Sequence, residues 1–171
     1  MADIIIVAGV SGSGKTTLAE TLAAHFELPF LEGDDFHPPQ NVVAMAAGTP
    51  LTDEMRAPWL DRLGQAARDA GEVHGGAIVS CSSLKRSYRD LLREGTGGCR
   101  FVLLNGDRDL ILDRMAKREN HYMPTALLDS QIATLEPPEP DESDLIEVSV
   151  DATPEQIATR AIAALEKLDA N

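Results

Sequence analysis

The chain has 171 residues, the size of one domain, and its 28 acidic against 15 basic side chains give a formal net charge of −13. This balance disfavours nucleic acid and anionic membranes as partners, and no run of 18 uncharged apolar residues predicts a membrane-spanning helix. The two cysteines match no metal-ligand spacing and are interpreted as reduced thiols, and the lack of a basic leader segment favours a cytoplasmic location.

The first predicted elements enclose a glycine-rich loop. Residues 4–8, Ile-Ile-Ile-Val-Ala, form a β-branched apolar run typical of a buried parallel strand. Downstream, Leu18, Leu22 and Phe26 recur every four residues, which predicts a helix packed on that strand. Between strand and helix lies Gly9-Val10-Ser11-Gly12-Ser13-Gly14-Lys15-Thr16, which fits the phosphate-binding pattern G-x-x-x-x-G-K-[ST].

This loop has the composition of a nucleotide-phosphate site. Its glycines allow a tight turn, so that successive N–H groups converge on phosphate oxygens at a helix N-terminus, where the helix dipole also favours anions. Lys15 can reach the β- and γ-phosphates, and the Thr16 hydroxyl can ligate magnesium. The alternative is a Gly/Ser-rich turn that binds nothing. The expected nucleotide-contacting positions of the loop are Gly9, Ser11, Gly12, Ser13, Gly14, Lys15, Thr16 and Thr17.

A second short strand, residues 28–31, leads into the acidic segment Glu32-Gly33-Asp34-Asp35. Ligands of open parallel sheets bind at the carboxyl ends of the strands, which places Asp34 near the phosphate site. One interpretation is that the two aspartates cap the next helix. The other is that Asp34 orients an attacking hydroxyl and accepts its proton, as kinases require. We favour the second because of the phosphate loop.

Residues 36–72 are too long for a simple connection and are interpreted as a substrate-binding helical insertion. Residues 40–47 are weakly helical, and Thr52 or Asp53 can cap a second helix that reaches about residue 69. Arg56, near the start of that helix, is either a surface charge or an anion clamp.

Nine of the fifteen lysines and arginines lie between Lys85 and Arg118. A third strand, residues 77–81, precedes a helix that residues 82–83 are expected to cap, with Lys85 and Arg89 four apart on one face. Because salt screens charges beyond about 8 Å, such a local cluster can govern anion binding despite the acidic total.

A fourth strand, residues 101–104, precedes a helix that starts at Asp107 and carries Arg114 and Arg118 near its end. Either the two arginines interact with the helix dipole, or they belong to a lid and meet adenine or the transferred phosphoryl group. A last strand, residues 145–150, and a final helix complete the pattern. The alternation of strands and helices predicts a three-layer α/β domain with five parallel strands.

Several motifs extend the match beyond the phosphate loop. They are Gly9–Lys15; Glu32–Asp34 with His37-Pro38; Asn41, Met45, Gly48 and Pro50-Leu51; Asp53 and Arg56–Leu60; Cys81–Lys85; Tyr88–Asp90; Arg114, Arg118, His121 and Met123; and Leu127–Gln131 with Leu135-Glu136. With these motifs the chain resembles the gluconokinase family of P-loop small-molecule kinases along nearly its whole length. Many nucleotide-binding proteins share the first motif, whereas the middle ones are much more specific.

The resemblance implies the P-loop kinase fold that shikimate and nucleoside-monophosphate kinases also have. The sheet would have the strand order 2-3-1-4-5, with the insertion at about residues 36–72 and a lid at about residues 116–134. The single domain, residues 1–171, would use ATP and Mg²⁺ to phosphorylate D-gluconate at its 6-hydroxyl, giving 6-phospho-D-gluconate, and relatives suggest a homodimer. Ala44 and Met55 depart from the family pattern within the insertion, which bears on the preference among sugar acids.

The resemblance also implies residue roles. Lys15 and the loop amides would hold the phosphates, Thr16 the magnesium ion, and Asp34 the 6-hydroxyl. Arg118 would act on the transferred phosphoryl group from the lid, while Arg114 and Pro154 would lie against the nucleotide. The implied contacts to gluconate are Asp34, His37, Arg56, Lys85, Arg89 and His121.

Two other functions stay open at this point. A shikimate-type or other small-molecule P-loop kinase would share the phosphate loop but take a different acceptor. A non-catalytic nucleotide sensor would bind ATP without turnover, and it leaves Asp34, the insertion and the lid arginines without a role.

Overall fold

The protein is described by a computed structural model that covers residues 1–117 and 125–170. Its centre is a single sheet of five parallel strands in the order β2-β3-β1-β4-β5, which confirms the predicted fold class and the implied strand order. The strands are β1 (Asp3–Ala8), β2 (Phe30–Glu32), β3 (Gly76–Ser80), β4 (Arg100–Asn105) and β5 (Leu145–Ser149).

Helices cover both faces of this sheet. None of them, in the described part of the chain, is long and apolar enough to cross a membrane. A short 3₁₀ turn (Gly33–Phe36) follows β2. The helices are α1 (Lys15–Phe26), α2 (Pro39–Ala46), α3 (Asp53–His74), α4 (Arg86–Thr96), α5 (Arg108–Ala116), α6 (Thr125–Thr134) and α7 (Pro154–Asp169).

The alternation of side chains along β1 explains the three layers. Ile4 and Ile6 point to a core shared with α3, α4, α5 and α6, whereas Ile5 and Val7 point to a core shared with α1 and α7. Successive residues of a strand face opposite sides of a sheet, so a strand covered by helices on both sides is apolar throughout. This arrangement brings the carboxyl ends of β1, β2 and β3 to one edge, where the phosphate loop follows β1.

The helix boundaries differ from the predictions in two places. Thr52 caps α3 by accepting a hydrogen bond from the Met55 amide at 3.2 Å, as expected, but the helix continues past residue 69 to His74. The prediction that residues 82–83 cap the next helix is wrong, because α4 begins only at Arg86. The Ser82 carbonyl instead accepts a hydrogen bond from the Gly9 amide, so this segment is tied to the phosphate loop before the helix starts.

Candidate active site

The phosphate loop turns directly into α1. Gly12 and Gly14 have φ angles of 79° and 96°, the left-handed region in which side chains other than glycine are strained. Gly14 is the N-terminal cap of α1 and supplies no side-chain acceptor to the first turn of the helix. The Lys15 ammonium folds back over the loop and donates to the Val10 carbonyl at 3.0 Å. The loop therefore has the backbone geometry that an anion site at a helix N-terminus requires.

Hard oxygen atoms lie beside this loop. The Thr16 hydroxyl donates to one carboxylate oxygen of Glu32 at 2.7 Å, and the Ser80 hydroxyl donates to the other at 2.6 Å. Mg²⁺ prefers oxygen ligands and keeps several waters, so one hydroxyl and one nearby carboxylate fit it when phosphates complete the shell. Among the described residues, no group of three acidic, histidine or cysteine side chains forms a metal cage. The Thr16 hydroxyl and the Glu32 carboxylate would fit a magnesium ion whose remaining ligands are phosphate oxygens and waters.

A small pocket opens on the other side of Lys15. Its volume is about 70 Å³, and its lining includes Lys15, Asp34, His37, Arg56 and Trp59. A carboxylate, an ammonium group and a guanidinium group all line this pocket. A polar acceptor with an anionic end suits this combination of charges.

Asp34 lies on the 3₁₀ turn after β2, and its side chain is 80% exposed at the mouth of the pocket. The His37 ring behind it is buried, with its Nε2 atom 3.6 Å from the Asp34 Oδ1 atom. The ring is stacked on Trp59 at a centroid distance of 3.9 Å and an interplanar angle of 22°. Trp59 itself is anchored through its Nε1–H to the Gly33 carbonyl at 2.8 Å. The carboxylate thus lies against a rigid aromatic stack.

Arg56 lies in α3 and is 8% exposed. Its Nη1 donates to the Tyr88 hydroxyl at 2.9 Å, and the hydroxyl donates to the Asp53 carboxylate. The Lys85 ammonium lies 3.1 Å from the same carboxylate. Arg56 therefore reaches the Asp53 carboxylate through the Tyr88 hydroxyl, and its guanidinium also lines the pocket, where it can bind an anion.

The ionisation of this cluster follows from its hydrogen bonds. The Tyr88 hydroxyl, and then the Lys85 ammonium, lower the pKa of Asp53 below its ordinary value. Asp53 in turn raises the pKa of Lys85. Burial raises the pKa of Tyr88, so its hydroxyl stays protonated and able to donate. Lys85 and Asp53 are therefore a mutually satisfied pair beside the pocket.

A second and larger cavity, about 290 Å³, lies on the opposite side of the phosphate loop between α1 and α7. Its walls are mostly apolar, with Leu18, Leu104 and Ile157 among them. The Arg114 guanidinium closes one side and donates to the carbonyls of Val150 and Ala152. The residues predicted for the nucleotide that line this cavity are Gly12, Ser13, Gly14, Thr17, Arg114 and Pro154. An apolar slot beside a phosphate loop suits a planar base.

Comparison with known proteins shows which family the chain belongs to. A family model described as an AAA domain matches residues 4–138. The thermosensitive gluconokinase of Escherichia coli K12 is 45% identical over 145 residues, which cover 85% of this chain and 78% of that protein. The chain belongs to the gluconokinase family.

Solved structures agree with this membership. The crystal structure of a sugar kinase from Janibacter sp. HTCC2649 is 46% identical, with a TM-score of 0.91 over 97% of this chain and 95% of that one. A gluconokinase from Sinorhizobium meliloti 1021 is 43% identical, with a TM-score of 0.89 over 98% and 93% of the two chains. Membership in the gluconokinase family disfavours the shikimate-type alternative.

One of the residues that the resemblance implied as a gluconate contact does not line the pocket in this gluconokinase family member. Arg89 is 0% exposed, and its Nε and Nη2 atoms donate to the two carboxylate oxygens of Glu142 at 2.8 Å and 2.6 Å. Its Nη1 faces the Ser83 carbonyl at 3.3 Å, under α4. We therefore withdraw Arg89 from the substrate contacts. The prediction that Lys85 and Arg89 share a helix face is wrong, because Lys85 precedes α4.

Two of the implied contacts, Arg118 and His121, lie outside the described residues. Gly9 lies at the start of the loop and donates its amide to Ser82 at 3.1 Å. The Ser11 amide donates to the Gln131 side-chain oxygen at 2.7 Å, which connects α6 to the phosphate loop.

Sequence reasoning gave no role to Glu32 or Gln131, although both lie in the family motifs. A signal for Glu32 is present in the chain: it is an acid at the carboxyl end of the strand adjacent to β3, where ligands of parallel sheets bind. Gln131 carries no such signal, because its partner Ser11 lies 120 residues away in the chain.

Proposed function

We propose that this chain transfers the terminal phosphoryl group of ATP to the 6-hydroxyl of D-gluconate, giving ADP and 6-phospho-D-gluconate. The observation that carries the proposal is that Lys15, Asp34 and Arg56 line one pocket beside the phosphate loop. Gluconate has a hydroxyl at one end and a carboxylate at the other, which matches a pocket that holds both an acid and a buried cation beside the phosphate loop. The names of the family members agree with this acceptor.

Asp34 acts on the hydroxyl end. Its carboxylate accepts a hydrogen bond from the 6-hydroxyl, aims the oxygen at the γ-phosphorus and takes the proton as the new O–P bond forms. The bond between the γ-phosphorus and the bridging oxygen breaks in the same event, and its electron pair leaves on ADP. The exposure of Asp34 at the pocket mouth suits an atom that must meet both substrates.

The phosphate loop acts on the phosphates. The amides of the loop and the Lys15 ammonium stabilise the negative charge that develops on the β- and γ-phosphate oxygens. Mg²⁺, when bound, would neutralise part of that charge through Thr16, with Glu32 accepting hydrogen bonds from its bound water. The cavity beside Arg114 and Pro154 would take adenine.

Arg56 binds the carboxylate end of gluconate on this proposal, with His37 beside it. Lys85 keeps a weaker proposed role, because Asp53 already neutralises it and it adjoins Arg56 only through Tyr88. Arg118 and His121 keep their proposed roles at the phosphoryl group and the sugar acid, within a lid at residues 116–134. The insertion at residues 36–72 supplies Arg56 and His37.

Acceptor-dependent ADP release tests this function. We expect turnover with D-gluconate and Mg-ATP, none with shikimate or nucleoside monophosphates, and at least a tenfold loss of kcat/KM with glucose, because an anion–Arg56 contact is worth about 1.5–3 kcal/mol. Phosphorus–carbon coupling in the NMR spectrum of the product should place the phosphate on carbon 6. Tight ATP binding without turnover on any acceptor would refute the proposal and leave the nucleotide sensor.

A further inference from the structure

A buried asparagine lies behind the aromatic stack that supports Asp34. Asn41, in α2, is 0% exposed, and its Nδ2 atom contacts two groups. One is the Met55 carbonyl of α3 at 2.9 Å, and the other is the Nδ1 atom of the His37 ring at 3.3 Å. Asn41 therefore connects α2 and α3 to the side of His37 that faces away from Asp34.

The contact with Met55 decides which way the amide points. A peptide carbonyl can only accept a hydrogen bond, so the Asn41 atom beside it must be the NH₂ group. The second hydrogen of that NH₂ group points to His37 Nδ1, which must then accept with its lone pair. A neutral imidazole that accepts at Nδ1 carries its proton on Nε2.

The proton on Nε2 faces Asp34. The distance of 3.6 Å from Nε2 to Asp34 Oδ1 is too long for a hydrogen bond, and catalytic contacts of this kind shorten when substrates bind. With the opposite tautomer, a lone pair of Nε2 would face the carboxylate and repel it. The stack on Trp59 sets the plane of the ring, but stacking cannot choose between the tautomers.

Asn41 keeps this orientation at a cost in stability. Its Oδ1 atom is buried and accepts no hydrogen bond from the described residues. An unsatisfied buried acceptor is costly, and this cost offsets part of what the two hydrogen bonds of the Nδ2 group contribute. Such a cost next to a reactive carboxylate is typical of a functional position.

We infer that Asn41 is a positioning residue that holds His37 in its Nε2–H tautomer, so that an N–H group and not a lone pair is presented to Asp34. The inference rests on the proposed function only in taking Asp34 as the group that receives the hydroxyl proton. The tautomer itself is a property of the protein without substrate.

The first experiment reads the tautomer directly. The chain contains four histidines, and ¹⁵N–¹H correlation spectra of protein with labelled histidine distinguish a protonated ring nitrogen from an unprotonated one. We expect His37 to be protonated at Nε2 in the wild-type protein. Protonation at Nδ1 would overturn the inference and leave the proposed function untouched, whereas lack of turnover on gluconate would leave the tautomer result standing.

The second experiment changes the partner. In Asn41→Asp, the carboxylate can only accept, so the ring must donate from Nδ1: it either switches to the Nδ1–H tautomer or, lying between two carboxylates, becomes an imidazolium, and the ¹⁵N–¹H spectra distinguish the two. With the switched tautomer we expect kcat to fall about tenfold, the typical loss when an orienting partner is removed. With the imidazolium, which keeps an N–H group toward Asp34, kcat should change by less than about threefold, and the KM for ATP should be unchanged in both cases. Gln40→Glu adds the same charge one residue earlier on the exposed side of α2 and should leave tautomer and kcat as they are. A switched tautomer with unchanged kcat would overturn the positioning role.

A pair of His37 variants keeps the test valid if Asn41→Asp does not fold. The amide nitrogen of glutamine reaches the position of Nε2, whereas that of asparagine reaches only the position of Nδ1. We expect His37→Gln to keep about ten times more kcat than His37→Asn, since only glutamine restores a donor toward Asp34. Equal kcat values for the two variants would contradict the inference.

Discussion

Arg89 and Glu142 form an ion pair with two parallel hydrogen bonds, and both side chains are fully buried. Glu142 lies in the segment before β5, and Arg89 lies in α4, so the pair attaches that segment to the helix. The Glu139 amide and the Arg93 guanidinium also donate to the same carboxylate. Removal of one partner from a buried, fully hydrogen-bonded charge pair leaves the other charge buried without compensation and destabilises the fold strongly.

The first prediction concerns this pair. Glu142→Gln removes one charge and leaves the Arg89 guanidinium buried without a counter-ion, which should lower the free energy of unfolding by about 3 kcal/mol in urea titration. The matched control is Asp113→Asn, which removes an acid from the exposed pair with Lys117 and should change the free energy by less than about 0.5 kcal/mol. Equal effects of the two variants would contradict the conclusion that the Arg89–Glu142 pair stabilises the fold.

The same pair predicts a dependence of stability on pH. The Arg89 guanidinium holds the pKa of Glu142 at about 2, below its ordinary value of 4.5. A carboxyl whose pKa is lower in the folded state stabilises the fold fully above its unfolded pKa and loses that contribution as the pH falls through its folded pKa. The difference in unfolding free energy between wild type and Glu142→Gln should therefore be constant above pH 4.5 and shrink toward pH 2. A free-energy difference that grows as the pH falls would contradict the lowered pKa of Glu142.

Lys15→Ala tests the phosphate loop. On the proposed function, the ammonium stabilises negative charge on the nucleotide phosphates, so we expect kcat to fall by about 10³-fold. The melting temperature should change little, since the side chain is partly exposed and its loss creates no cavity in the core. Gluconate-dependent ADP release near the wild-type rate would remove Lys15 from the site.

Asp34→Asn tests the base. The amide cannot accept the hydroxyl proton, so kcat should fall by about 100-fold or more while the Kd for ATP stays the same. Asp35→Asn is the matched control, because Asp35 is an exposed acid on the same turn but does not line the pocket. Loss of ATP affinity in Asp34→Asn would move this residue from the acceptor to the metal.

Glu32→Gln tests the proposed magnesium environment. Replacing the carboxylate that lies 2.7 Å from the Thr16 hydroxyl should raise the Mg²⁺ concentration for half-maximal activity by about tenfold, because orienting partners of metal ligands contribute to that extent. Glu20→Gln, an exposed change on α1, should leave the Mg²⁺ requirement as it is. An unchanged requirement in Glu32→Gln would show that Glu32 only holds Thr16 and Ser80 together.

Local patterns in the chain were sufficient to predict the phosphate loop and the three layers of the fold. The loop is a contiguous motif, and the apolar run of β1 indicates that helices cover both faces of the strand. The first residue of a helix is harder to predict than the presence of the helix. The prediction that residues 82–83 cap α4 was wrong, because a hydrogen bond from the Gly9 amide to the Ser82 carbonyl holds that segment outside the helix.

The basic cluster shows why individual roles were harder to predict. Lys85 and Arg89 have the same charge and lie four residues apart, yet one pairs with Asp53 at the surface and the other with Glu142 in the interior. Those partners lie 32 and 53 residues away in the chain. A helical repeat predicts which residues share a face. It does not predict which of those residues pairs with an acid from a distant part of the chain.

The amino-acid sequence by itself determined the kind of chemistry: a loop that binds phosphates, an acid after the second strand and the parallel α/β scaffold that brings them to one edge. These features depend on backbone geometry and on periodicity, both of which neighbouring residues control. Only the tertiary structure decided which charged groups face the pocket, which are buried as pairs, and that Asn41 lies behind His37. Those outcomes depend on contacts between segments far apart in the chain, and burial and partner distance, not residue type, set what a charge can do.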